Sequence, residues 1–434
     1  MNVMKVLSRY LIALALVLSN DLAEAITAQM EDLVWYETRV NAVAVRSNAP
    51  VDIYHYEIPL ELLEADISTK ANKSYVDSLV FARDGKKFVR WVLNPEDTAW
   101  GKEIREFLKS KGLPLVRKKY FTGYMTASRS YILVDPASGA EFSLKTSTNR
   151  TGGWWADKKQ TWDDASQIRK MAEYITERLE NQPPLKNAII LDEPIAFGIK
   201  EKDMGMIVRS YETMAKNGTQ YVPGFSILHT DMGEGIAKHN GSNNPAEFWN
   251  EHYNKPLARA LAEFFVATGV QYDSPHSQNF MVELDAFKKP TGRIVLRDFG
   301  DAYVYQKFFK ANKRTDIVKI WEKDNIKKRD MSASVGTLHG NHPPSWITMT
   351  ENKPTADSYD QWGRDFFAEY EAEFFKQTGL KFGGASDIAR DKAYFYRAYK
   401  LFEAHDGAFL KLVSKDRQRE NSAAGSCSRL LLAM

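Results

Sequence analysis

One stretch constrains this chain more than any other: residues 269–301, GVQYDSPHSQNFMVELDAFKKPTGRIVLRDFGD. It reads as strand, polar loop, strand, turn and strand. The loop carries His276, Ser277, Gln278 and Asn279. In the strand after it, Phe280, Val282 and Leu284 alternate with Met281 and Glu283, the period that sets two faces of a sheet. Lys288-Lys289-Pro290-Thr291-Gly292 reads as the turn. Ile294 to Leu296 then forms a strand that delivers Arg297 and Asp298 at its end, with Gly300 just beyond. A hairpin of this kind brings His276, Asn279 and Asp298 toward one edge. An imidazole, an amide and a carboxylate there suit a magnesium-bound phosphate, because hard cations prefer oxygen ligands.

A second stretch has matching chemistry. A strand over Ala140 to Lys145 runs into Thr146-Ser147-Thr148-Asn149-Arg150-Thr151-Gly152-Gly153, a hydroxyl-rich, Arg-containing, Gly-ended loop. Hydroxyls, backbone amides and a guanidinium are what the phosphates of a nucleotide need; an ordinary polar surface loop has the same composition. Trp162 to Leu179 is expected to be a helix carrying Arg169.

The remaining periodicities are mixed, which sets the class as α+β. Val51 to Tyr56 alternates like a strand, and Ser78 to Phe81 with Lys87 to Val92 suggests a hairpin around Asp84-Gly85. Trp100 to Lys111 is helical and stops at Gly112. Asn187 to Ile199 reads as one buried strand, Asp203 to Lys216 as a helix, and Asp231 to Asn244 as a loop. Pro256 to Thr268 is a helix with Pro at its first position and Gly269 after its end. Beyond residue 302 the expectation is mostly helix: Tyr303 to Lys313, Thr315 to Asn325, Ser358 to Thr378 and Ala385 to Ser414. The aromatic stripe Phe366, Phe367, Tyr370, Phe374 and Phe375 reads as helix-packing core. His339 and His342 sit in a Gly/His/Pro segment without a clear third metal ligand.

The 59 basic and 56 acidic residues nearly balance, so charge gives no warrant for a nucleic-acid partner. Cys427 stands alone, which excludes an intramolecular disulfide. Residues 1–25 read as a secretory signal: Lys5 and Arg9, a short apolar core from Tyr10 to Ser19, and Ala23-Glu24-Ala25 as the cleavage site. Export to the periplasm or outside the cell is the expectation, with a cytoplasmic or membrane-anchored protein as the alternative should the signal stay uncleaved.

The order of these motifs resembles the NRPS-independent siderophore synthetases, the aerobactin-synthetase (IucA/IucC) family. The matching positions are Thr148-Asn149-Arg150-Thr151, then Lys158 or Lys159, Arg169, the strand ending Asp192-Glu193, Gly269 to Asn279, and Arg297-Asp298-Phe299-Gly300. The chain departs from the pattern at Ser274, where an acid is usual, and has no His-Pro/Lys segment in its first 130 residues. The resemblance implies a fingers–palm–thumb-like architecture with a kinase-like mixed palm sheet and a helical C-terminal lobe. The implied ranges are a fingers-like region over 26–139, a nucleotide-binding palm-like region over 140–305, a helical thumb-like region over 306–415 and a flexible tail over 416–434. It implies ATP and Mg2+ as cofactors, and a ligase that adenylates a carboxylate and passes it to an amine or alcohol. Thr148, Arg150, Thr151, Lys158, Lys159, Arg169, His276, Gln278, Asn279 and Asp298 would line the nucleotide site. Asn279 and Asp298 would hold the metal, and His276, Arg150 and Lys159 would act in catalysis. The implied partners are small-molecule carboxylate and amine or alcohol substrates, with no stable membrane span once the signal is removed, and a homodimer as the candidate assembly. Two other readings are a kinase-like small-molecule phosphotransferase, because HSQN…RDFGD also resembles a His-x-x-Asn…Asp-x-Gly pattern, and an exported binding protein that keeps the cleft without turnover.

Overall fold

The computed structural model describes residues 26–38, 48–126, 129–149, 158–214, 218–229, 231–272, 277–320 and 356–381, with short segments at 328–329, 333–335, 349–350, 353–354, 388–390, 396–398 and 407–414. The chain divides into two units. Residues 1–169 and 192–216 form the first, and residues 170–191 and 217–434 the second.

The first unit is built on a nine-stranded sheet. In chain order the strands are β1 (Val51–Pro59), β2 (Glu64–Ile67), β3 (Val80–Arg83), β4 (Lys86–Val92), β5 (Lys118–Met125), β6 (Ser130–Val134) and β7 (Glu141–Lys145). After β8 (Ala188–Ile190), which belongs to the other unit, β9 (Ile195–Ile199) and β10 (Met204–Arg209) complete the sheet. The order across it is β2-β9-β10-β7-β6-β5-β1-β4-β3, antiparallel at every pairing. One core covers it, with Trp91, Phe107, Phe121, Phe142, Phe197 and Met206 all buried. The helix Trp100–Ser110 contributes Ile104, Phe107 and Leu108 to that core.

The second unit holds a four-stranded mixed sheet, β11 (Gln220–Pro223), β13 (Phe280–Leu284), β14 (Pro290–Leu296) and β8, in that order. Only β14 and β8 run parallel. A further sheet pairs β12 (Val270–Tyr272) with β15 (Ala302–Tyr305). The helix Lys255–Thr268 is buried along nearly its whole length. It meets the helix Ala356–Thr378, where Arg259 pairs with Glu369 at 2.9 Å and Asn254 Nδ2 donates to the Trp362 carbonyl at 2.9 Å. Gly269 ends the first of these helices at φ +71°, and a Cβ there would stand 2.3 Å from the Phe308 ring, so glycine is required twice over.

The α+β expectation is borne out, as are the β3–β4 hairpin and the helices beginning at Trp100, Trp162 and Lys255. Several local expectations are corrected. The run Asn187–Ile199 is two strands, β8 and β9, in different sheets, because the chain breaks at Asp192-Glu193-Pro194. There Glu193 turns to Arg209 at 2.7 Å, a buried ion pair. The helix expected over 203–216 is the strand β10. Its residues Met204 to Arg209 are all buried, and a run buried on both faces has no period by which to tell strand from helix. Asp231–His239 is helical rather than loop. Gly233 there offers its carbonyl to Trp249 Nε1 at 2.9 Å, a tertiary contact that composition hides. Tyr303 to Lys313 begins as β15 before turning helical at Gln306. Within 385–414 the described residues are strands at Ile388–Arg390 and Tyr396–Ala398, with helix only from residue 407. The β13–β14 turn comes earlier than Pro290 and closes on Asp285, whose Oδ1 accepts from Phe287 N at 2.8 Å and Lys289 N at 2.9 Å.

Candidate nucleotide site

In the second unit the site residues are positioned by strand pairing. β13 and β14 pair with Phe280 opposite Leu296, and Arg297 N donates to the Asn279 carbonyl at 3.1 Å. Asn279, just before β13, and Asp298, just after β14, therefore come to the same end of the hairpin. Asn279 is buried and Asp298 half-buried. Arg297 does not face outward: its Nε and Nη2 donate to the Gln278 carbonyl at 3.0 and 2.8 Å, clamping the polar loop to the strand end. Asp298 itself lies in the left-handed region at φ 67° and ψ 74°. Asp tolerates that conformation better than most residues, and backbone of this kind concentrates where a side chain must be aimed. The strand β12 that precedes the loop pairs with β15, not with β13, so the opening stretch spans two sheets. His276, with Asp273 and Ser274, lies outside the described residues.

In the first unit the hydroxyl-rich loop is closed at its base. Thr148 and Lys158 exchange backbone hydrogen bonds of 3.0 and 2.8 Å, and Arg150 and Thr151 fall between them, outside the described residues. Thr146 and Ser147 turn inward. Thr146 shares a 3.0 Å hydrogen bond with the buried Tyr131 hydroxyl, and Ser147 Oγ accepts from Gln160 N at 2.8 Å. Burial holds the Tyr131 phenol well above its ordinary range, so it stays protonated as a structural partner. Asn149 is tied to Thr98: Thr98 N donates to Asn149 Oδ1 at 3.0 Å and Asn149 Nδ2 to Thr98 Oγ1 at 2.9 Å. Lys159 Nζ donates to the Lys202 carbonyl at 2.9 Å, lies 3.4 Å from Glu103 Oε2, and sits 5.0 Å from the Trp100 ring centroid. Arg169 is 1% exposed, with Nε 3.5 Å from Asp66 Oδ1.

Thr148, Lys158, Lys159 and Arg169 thus belong to one unit, and Gln278, Asn279 and Asp298 to the other. The sequence reading missed Asn94, Asp97 and Trp100, which flank the same loop. Asp97 Oδ1 accepts from Trp100 N at 3.0 Å and so opens the helix, a capping signal present in the sequence three residues before Trp100. Among the described residues no group of three or more His, Cys, Asp or Glu stands together as a metal cluster. Among them, too, no helix is long and apolar enough to cross a membrane. The expected signal at 1–25 and the His339/His342 loop lie outside the described residues.

Neither a family model nor a curated protein sequence matches this chain. Solved structures do match by fold. The petrobactin biosynthesis protein AsbB from Bacillus anthracis str. Sterne is similar at a TM-score of 0.56 and 14% identity, over 80% of this chain and 68% of that one. The aerobactin synthetase IucC from a hypervirulent pathotype of Klebsiella pneumoniae matches at 0.49 and 12%, over 77% of this chain and 62% of that one. The AsbB likeness carries the fold, and the shared lengths mean that this chain spans about two thirds of its structural neighbours. The fold of this chain is thus similar to that of the petrobactin biosynthesis protein AsbB.

Proposed function

We propose that the protein is an ATP-dependent ligase of siderophore-synthetase type, joining a carboxylate to an amine or alcohol through an adenylate. The observation that carries this reading is the pairing of β13 with β14, which brings Asn279 and the left-handed Asp298 to one hairpin end, on a fold shared with a petrobactin biosynthesis protein. In the first step a carboxylate oxygen bonds to the α-phosphorus as the bond to pyrophosphate breaks. In the second the amine nitrogen or alcohol oxygen bonds to the acyl carbon, AMP leaves with the electron pair, and the nucleophile loses its proton.

Asp298 and the amide oxygen of Asn279 fit magnesium, which takes one or two protein oxygens and draws its other ligands from phosphate and water. When bound, the ion would offset charge on the phosphates during transfer. The chain's own residues do the rest. Arg297, held on the Gln278 carbonyl, keeps the loop that carries Gln278 and Asn279 in register with Asp298. Arg150, Thr148 and Thr151 would bind phosphate oxygens with guanidinium, hydroxyl and amide donors. Lys158, Lys159 and Arg169 would add positive potential behind that loop. His276 would contact the phosphate under attack. The test is incubation with labelled ATP, magnesium, citrate and a polyamine or hydroxylamine. The expected products are AMP and pyrophosphate; ADP in their place would make the protein a phosphotransferase, and absence of both turnover and nucleotide binding would sink the reading.

A further inference from the structure

Strand register sets where Asp298 stands, but the direction of its carboxylate is set beyond the strand. β14 ends at Leu296, and the φ angle of Asp298 is the rotation between its side chain and the peptide that joins it to Arg297. That angle is 67°, in the left-handed region, where a residue with a side chain is kept only if the structure around it holds the backbone firmly. Both neighbours of Asp298 are anchored. Phe299 is fully buried and stacks on Phe264, with ring centroids 6.4 Å apart at 16°. Arg297 is held at three points. Its N–H donates to the Asn279 carbonyl, and its guanidinium to the Gln278 carbonyl. Its own carbonyl, part of the peptide about which Asp298 turns, accepts from the Tyr272 hydroxyl at 3.2 Å.

Tyr272 comes from outside the β13–β14 hairpin. It is the last residue of β12, opposite Ala302 of β15, and is 2% exposed. Its ring meets Phe280 edge-on at 5.4 Å and lies 6.3 Å from Phe264, the ring on which Phe299 stacks. Tyr272 thus ties the β12–β15 sheet to the site end of the hairpin. A buried phenol hydroxyl needs an acceptor wherever it lies, so burial accounts for a hydrogen bond here. It does not account for the acceptor, which is the carbonyl of the peptide that sets the Asp298 torsion.

We infer that Tyr272 is a positioning residue for Asp298: its hydroxyl holds the Arg297–Asp298 peptide in the orientation that aims the carboxylate at a divalent cation. That role rests on the ligase reading for the cation, and on the hydrogen bond to Arg297 for the residue.

Mn2+ shares the preference of Mg2+ for oxygen ligands and is visible by electron paramagnetic resonance. Its binding would be titrated on the full-length protein with α,β-methylene-ATP, which cannot release pyrophosphate, and with the analogue alone as the blank. Tyr272→Phe keeps the ring and loses the hydroxyl. Tyr174→Phe is the matched control, because the Tyr174 hydroxyl also donates to a main-chain carbonyl of the same unit, that of Thr268, at 2.6 Å, and its ring is also buried. Asp298→Asn removes the proposed ligand itself, and 4-aminophenylalanine at position 272 restores a donor in the same space. Thermal unfolding checks the fold of each. The affinity for Mn2+ should fall about fivefold in Tyr272→Phe and about a hundredfold in Asp298→Asn, stay as in the wild type in Tyr174→Phe, and return to within about twofold with 4-aminophenylalanine. A Tyr272→Phe protein that binds Mn2+ as the wild type does would overturn the inference. So would an equal loss in Tyr174→Phe, no recovery with 4-aminophenylalanine, or Mn2+ binding that ignores Asp298→Asn. The ligase reading fails separately, in a wild type that binds Mn2+ through Asp298 yet releases no AMP from ATP.

Discussion

The two units furnish their functional residues in opposite ways. In the second, backbone pairing does the positioning: Asn279 and Asp298 flank paired strands, and neither depends on the rotamer of a long side chain. In the first, the long cations are already engaged by the protein. Lys159 reaches the Lys202 carbonyl and Glu103, and Arg169 is buried beside Asp66. Strand register fixes where that carboxylate and that amide stand. A lysine or arginine with a competing acceptor must first exchange one partner for another, and its gain on binding is reduced by what it gives up.

That comparison predicts its largest effect at Asp298. Asp298→Asn keeps the shape and the tolerance for φ 67° while removing the charge. AMP release should fall by about a thousandfold, with the thermal midpoint close to that of the wild type. An unchanged rate constant would put the chemistry elsewhere and remove the distinction between the units.

Arg169 should behave in the reverse manner. Arg169→Met buries no charge but abandons Asp66, and should cost about 3 kcal/mol of stability in denaturant unfolding. Were the variant as stable as wild type and deficient only in nucleotide binding, Arg169 would be a ligand-binding group after all, and the contrast would fail at its clearest point.

His55 sharpens the same picture, because it is a titratable group in the first unit given over to the fold. It is 2% exposed, and neither ring nitrogen has a hydrogen-bond partner. Burial, reinforced by the Arg90 guanidinium and the Lys118 ammonium and opposed by Glu57, lowers its pKa from 6.5 to about 4. Between those values the unfolded chain holds a proton that the native state does not, so stability is fully present above about pH 6.5 and is lost as pH falls toward 4. The loss should reach about 3 kcal/mol, and His55→Phe should flatten that window in pH-dependent unfolding without lowering stability at pH 7. A wild-type stability that does not change over the window would show that the imidazole is solvated.

The legibility of the sequence divides along the same line. The β13–turn–β14 hairpin and the helices at Trp162 and Lys255 were readable because they carry alternation, helical period or capping residues. The strand β10, MGMIVR, was not, since a segment buried on both faces loses its period. The pairing of β12 with β15 was hidden by the adjacency of β12 to the β13 loop in sequence. Of the site, the residue types at Asn279 and Asp298 were legible as chemistry, and their meeting followed from strand register. The inward engagement of Thr146, Ser147, Lys159 and Arg169 was not, because the partners that claim them come from other positions in the chain: Tyr131, Gln160, Glu103, Lys202 and Asp66.

Lys159 supplies the smallest and most discriminating effect. Its side chain is 25% exposed, and its ion pair with Glu103, at 3.4 Å, is long, so Lys159→Ala should change stability by less than about 1 kcal/mol. If the lysine acts only through its potential while staying on the Lys202 carbonyl, the KM for ATP should rise about threefold at low salt, with kcat nearly unchanged and the difference fading as salt screens the charge. A group that contacts the phosphate only as charge moves would instead show its loss in kcat, by about a hundredfold, and with little salt dependence. That second outcome would mean that Lys159 leaves Glu103 and Lys202 when the nucleotide arrives, and the first unit would then also supply a catalytic group, recruited by an exchange of partners rather than set in advance by strand register.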